Sequence, residues 1–116
     1  MPIQLKRIYD EKSLSDGIRI LVDRLWPRGM SKASTGVDRW MKEIAPTAEL
    51  RSWFCHKPEH WEEFQTRYRE ELLQNPALEE LRGMAKEGMV TLLYAGKDQT
   101  YNHALVLETV LAEKGG

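Results

Sequence analysis

Cysteine is nearly absent: Cys55 stands alone among 116 residues, so no internal disulfide can staple the chain. One thiolate cannot build a four-ligand zinc site, and neither HExxH nor CxxC spacing occurs, which argues against structural zinc. Long apolar runs are missing as well. Nothing approaches the roughly 20 residues of a membrane helix, so no membrane span is expected. Neither sign of charge is in excess, with 17 Lys plus Arg against 18 Asp plus Glu. That balance removes any whole-surface attraction to nucleic acid or anionic lipid and leaves only a local basic patch to provide one. A Walker motif and a G-x-G-x-x-G fingerprint are also lacking, so nothing points to an ATPase or a dinucleotide enzyme. The opening Met-Pro-Ile-Gln does not have the basic-then-apolar pattern of a secretory signal, and the expected home is a reducing cytoplasm.

What is present suits one small domain over residues 1–116: 41% hydrophobic and 30% charged residues can fill a modest core beneath a polar surface. Residues 3–9 alternate apolar and polar, with Ile3, Leu5 and Tyr9 in one phase, and predict a first strand. Ile18 to Val22 and Met89 to Ala95 are more continuous apolar runs, as in strands buried on both faces. Between them apolar residues recur at helical spacing. Val37, Trp40, Met41 and Ile44 predict one short helix and Leu50, Trp53 and Phe54 a second, with Thr35 and Thr47 as caps. Pro58 opens a longer helix with the stripe Trp61, Phe64, Tyr68 and Leu72, and Asn75-Pro76 ends it. Leu78, Leu81 and Ala85 mark a further helix up to Gly88, and a last one runs from about Asn102 to Lys114. Trp40, Trp53 and Trp61 follow the helical stripes and read as core. The fold class is therefore α/β: a mostly parallel sheet of about three strands flanked by about five helices.

Ligands of open parallel sheets bind outside the carboxyl ends of the strands, so the segments after Val22 and Ala95 should face each other there. The first runs Asp23-Arg24-Leu25-Trp26-Pro27-Arg28 and on to Lys32. Arg24, Arg28 and Lys32 can converge on an anion, with forked guanidinium donors matching phosphate or carboxylate oxygens and Trp26 offering a flat surface. The competing reading is an ordinary charged loop in which Asp23 pairs with Arg24 or Arg28. The second segment carries Lys97, Asp98, Asn102 and His103, with Gly96 expected to allow a sharp turn. Lys97 and Asp98 can bind and orient a ligand, and His103 can serve as acid or base near neutral pH. Equally, Asn102 can simply cap the helix and His103 can make one structural hydrogen bond. Cys55, His56 and His60 invite a thiol or metal reading, but Pro58 restarts the chain between the two histidines, so they do not share one helical face. Of these His56 is the one placed to reach a pocket.

The string Arg19 to Gly29 with Ser31-Lys32 resembles the opening motif of the YeaO-like branch of the domain of unknown function 488 family. Glu43-Ile44-Ala45-Pro46, Glu49-Leu50-Arg51 and Trp53-Phe54 with His56 resemble its middle block. Leu92 to Ala95, Lys97-Asp98 and Asn102-His103-Ala104 resemble its last block. The resemblance spans nearly the whole chain and implies a small α/β cytoplasmic protein of unassigned role, with the first and last blocks marking the pocket. More distant branches carry Asp-x-Arg after the second strand and Glu-x-x-x-x-Cys-His-Arg after the last, and the absence of that cysteine and arginine here argues against shared thiol chemistry. No helix-turn-helix with a basic recognition helix supports a transcription-regulator label.

The leading expectation is a pocket for a phosphate- or nucleotide-like small anion, with no metal ligand set and no identified cofactor. Arg24, Arg28, Lys32 and Lys97 would hold the anion, with Trp26, His56 and Asn102 lining it. Were it an enzyme, Asp23, Asp98 and His103 would move protons in a hydrolysis or group transfer. The alternatives are a non-catalytic contact to nucleic acid, with Trp26 and Tyr101 stacking on unpaired bases, and a protein-interaction module using the tryptophan-rich helices.

Overall fold

Four parallel strands make one sheet in the computed structural model, in the spatial order β1-β4-β2-β3. They are β1 (Ile3–Arg7), β2 (Ile18–Leu21), β3 (Arg39–Trp40) and β4 (Val90–Tyr94). The structure describes residues 3–55, 57–98 and 100–113. The central strand β4 pairs with β1 from Ile3↔Val90 to Arg7↔Tyr94 and with β2 from Ile18↔Val90 to Leu21↔Leu93. All five of its residues are buried, which is why it reads as an unbroken apolar run. Its threonine, Thr91, is satisfied by donating to the Asp16 carbonyl at 2.7 Å.

The strand count corrects the expectation of about three. Val37, Trp40, Met41 and Ile44 do not form a helix; Asp38 N–H donates to Arg19 O at 2.8 Å and Met41 N–H to Leu21 O at 2.9 Å, zipping this segment onto β2. A tight single turn, Lys42–Ile44, follows. Non-local pairing has overridden a local helical period. It also leaves Trp40 at the sheet edge, 36% exposed rather than in the core.

Five α-helices lie among the described residues: α1 (Lys32–Thr35), α2 (Ala48–Phe54), α3 (Trp61–Leu73), α4 (Pro76–Glu87) and α5 (His103–Ala112). Thr47, Asn75 and Asn102 accept backbone N–H bonds as the caps of α2, α4 and α5. Thr35, expected to open a helix, instead ends α1, whose cap is Ser31. On α3 the four-residue spacing places Phe64, Tyr68 and Leu72 in the larger core cluster, where the helix packs on α5 and α2, at 2%, 0% and 1% exposure. Each such burial contributes about 1.5–3 kcal/mol. Because Ile20 and Leu92 belong to the larger core cluster, and Leu21 and Leu93 to the smaller, strand alternation puts the two clusters on opposite faces. No helix among the described residues is long and apolar enough to cross a membrane.

Near the amino end of β2 sits a closed polar network. Asp16 and Arg19 are each 1% exposed and ion-paired. Arg19 also donates to Thr35 O at 3.0 Å. Gln4, Lys6 and the Ser13 backbone N–H, each at 3.0 Å, complete the coordination of the Asp16 carboxylate. Burial opposes its ionisation, but the bonds from Ser13, Lys6, Arg19 and Gln4 outweigh it and hold the carboxyl well below the usual carboxylate range. Gly17 closes the turn into β2 with φ 65°, where a Cβ would lie 2.2 Å from Met89 O, so no other residue fits.

Candidate functional site

The chain leaves β2 and β4 at the same end of the sheet, and the two departing segments meet. Asp23 accepts the Ala95 N–H at 2.9 Å through Oδ2. Its Oδ1 lies 3.2 Å from His103 Nε2, which also sits 3.0 Å from Val22 O. Both neighbours of Nε2 are acceptors, so that nitrogen carries the hydrogen. His103 is the first residue of α5, and the Asn102 cap fixes its position by accepting the Leu105 N–H at 3.2 Å.

Around this junction opens a cleft of about 570 Å³, walled by the segment after β2, the carboxyl end of α2, the end of β4 and the start of α5. Among the described residues three arginines line it, Arg24, Arg28 and Arg51, and Asp23 is its one acidic residue. Asp23 and Arg24 do not pair with each other. Arg24 turns back and donates to Ala45 O at 3.2 Å and Pro46 O at 3.1 Å, tying the segment before α2 to the segment after β2. Arg28 and Arg51 are exposed at the rim, and among the described residues neither side chain has a hydrogen-bond or ion-pair partner.

Trp26 lines the same cleft in a fixed pose. Its indole N–H donates to Met30 O at 2.7 Å, and its ring meets that of Trp40 at 5.5 Å and 64°. Trp40 in turn donates to Asp23 O at 2.8 Å. Gly96 also borders the cleft, and the chain bends at Lys97 without a left-handed φ at the glycine. The strand end is instead held by Arg7, which donates to Gly96 O at 3.1 Å and Ala95 O at 3.2 Å.

The remaining expected residues lie elsewhere. Asp98 is a turn organiser: its carboxylate accepts from Thr100 N–H at 2.8 Å and Tyr101 N–H at 2.9 Å, and its carbonyl accepts from the Asn102 side chain at 2.9 Å. Lys97 is exposed and outside the cleft lining, as is Lys32 on the first turn of α1. His56 falls outside the described residues. His60 stacks on Trp53 at 4.3 Å, with its Nδ1 3.3 Å from Trp53 O, a packing role. Cys55 caps α2 in a left-handed conformation, φ 42°, at the cleft edge. Among the described residues no group of three or more His, Cys, Asp or Glu side chains converges as a metal site.

Arg51 is the residue that sequence reasoning passed over. It lies on the exposed side of a short helix, and only the docking of α2 beside the segment after β2 turns it toward the cleft. The one signal was its place in the middle block, Glu49-Leu50-Arg51, next to Trp53-Phe54.

Residues 2–115 match the family described as the inactive DUF488-N3 subclade. The uncharacterized protein YeaO of Escherichia coli K12 is 48% identical over 108 residues, covering 92% of this chain and 94% of that protein. The uncharacterized protein Rv3073c of Mycobacterium tuberculosis H37Rv is 41% identical over 109 residues, covering 94% and 92% respectively. No solved structure matches. The blocks that border the cleft lie within this shared length, and the chain belongs to the DUF488 family as a YeaO-like member.

Proposed function

We propose that this protein binds a small anionic molecule, phosphate- or nucleotide-like, in the cleft at the carboxyl ends of β2 and β4. One observation carries the reading: Arg28 and Arg51 enter the cleft without partners among the described residues, while its single carboxylate is spent on Ala95 N–H and His103. An uncompensated pair of guanidiniums beside a third, Arg24, favours an anion with two or three oxygens to share.

Binding without turnover fits better than catalysis. Asp23, Asp98 and His103, the residues suited to proton transfer, all hold the scaffold together. The word "inactive" in the family description supports the same preference. Hydrolysis or group transfer is the second reading, favoured by the 3.2 Å Asp23–His103 contact on the cleft wall. A reducing compartment suits the chain, whose lone Cys55 is exposed and free.

The test is the thermal midpoint against inorganic phosphate, sugar phosphates, nucleotides and short single-stranded DNA and RNA, with Arg28→Glu alongside. A ligand at about 100 times its dissociation constant adds roughly 2.7 kcal/mol. A shift of several degrees for a small anion, absent in the variant, is the expected result. A shift for polymers alone, falling steeply with salt, would replace this reading with nucleic-acid binding. No shift with any of them would leave protein interaction. Product formation by the bound anion, lost in His103→Gln, would establish the catalytic reading.

A further inference from the structure

We infer that the preferred ligand is a phosphate monoester carried on a planar ring, of the nucleoside monophosphate type, rather than bare phosphate or a sugar phosphate; this rests on the anion-binding reading above. Size is the first ground. The cleft of about 570 Å³ lies in the range of about 300–1,000 Å³ that takes whole organic ligands, far more than a single anion fills.

The second ground is a pair of fixed aromatic walls. Trp26 and Tyr101 both line the cleft and are half-buried. Trp26 is braced edge-on by Trp40 at 5.5 Å, and Tyr101 by Trp61 at 5.5 Å and 72°. Rings held in place before a ligand arrives lose little freedom on stacking, so a planar body gains more here than a flexible one.

The third ground is an unused polar group. Tyr94 lines the cleft and is 7% exposed, yet its hydroxyl has no hydrogen-bond partner among the described residues. Burial pushes its pKa up, so it remains an O–H donor near neutral pH. The hydroxyl opens onto the cleft rather than being sealed in the interior, so the polar edge of a heterocycle can accept from it in place of water while its face meets the aromatic walls. The short supply of free cations favours one phosphate over three: among the described residues lining the cleft, Arg28 and Arg51 are the cations without a partner, and Arg24 is largely committed to Ala45 and Pro46.

Calorimetric titration of the full chain with adenosine monophosphate, uridine monophosphate, phenyl phosphate, ribose phosphate and inorganic phosphate tests this. The better nucleotide should bind at least about tenfold more tightly than ribose phosphate, the size expected of one stacked base. Phenyl phosphate should fall between. Trp26→Leu should shrink the gap to less than about threefold while ribose phosphate binds as before. Tyr94→Phe, which removes one oxygen, should bring the nucleotides down to phenyl phosphate. If ribose phosphate binds as tightly as both nucleotides, the ring inference is overturned and the anion reading stands. If none of the five binds, both fall. Should Trp26→Leu prove misfolded by circular dichroism, Tyr94→Phe and the wild-type ranking decide alone.

Discussion

β2 carries an aspartate and an arginine near each of its ends, and the two ends use them differently. At the amino end Asp16 and Arg19 bury each other, and Lys6, Gln4, Ser13 and Thr35 complete the network. At the carboxyl end Asp23 and Arg24 part company: the carboxylate serves Ala95 and His103, and the guanidinium serves Ala45 and Pro46. The first end is closed and nearly saturated. The second is braced by its polar groups yet left open, with Arg28 and Arg51 beyond it and unpartnered among the described residues. The same residue types thus close a network at one end and wall an open cleft at the other. Mutations should therefore cost stability at the amino end and binding at the carboxyl end.

The largest effect should come from Asp16→Ala, which strands Arg19 in the interior; losing one partner of a buried ion pair costs about 3–5 kcal/mol, read by urea unfolding. The acid limb sharpens this. The folded-state pKa of Asp16 is depressed, so its contribution is complete above the unfolded value of about 3.9 and drains away as pH falls toward the folded one. Wild type should lose stability steeply below about pH 4, and the variant should be flatter there. Asn102→Ala at the open end should cost about 1 kcal/mol, a lost helix cap. It should also weaken ligand binding, because α5 carries His103 and its side chain is tied to Asp98. Cys55→Gly should raise stability by about 1 kcal/mol, since the left-handed backbone there penalises any residue with a Cβ. Arg28→Glu and Arg51→Glu should each change stability by less than about 0.5 kcal/mol, as exposed unpartnered positions do, while removing anion-dependent stabilisation. A large stability loss at either arginine would break the contrast between the two ends.

Much of this arrangement is legible before folding. Alternation and β-branched runs mark β1, β2 and β4, Thr47 and Asn102 announce their helices, and Asn75-Pro76 marks where α3 has ended, because these signals are local. The meeting of the segments after Val22 and Ala95 follows from parallel strands ending together. β3 is not legible: two residues paired to Ile20 and Leu21 leave no pattern of their own, and the spacing of Val37, Trp40 and Met41 imitates a helix. Nor does cation chemistry reveal reach. Lys32 and Lys97 look suited to the cleft but lie outside its lining, whereas Arg51 looks like helix surface and lines it. What decides is how α2 docks, and docking is a property of packed faces rather than of spacing.

The most direct measurement is a map of backbone amide shifts as a phosphate monoester is titrated into the labelled protein. Movement concentrated at Arg24, Arg28, Arg51 to Cys55 and Ala95 to His103, with Ser13 to Arg19 still, is the predicted result. Shifts centred on Ser13 to Arg19, or scattered evenly over the surface, would contradict a molecule closed at one end of its sheet and open to an anion at the other.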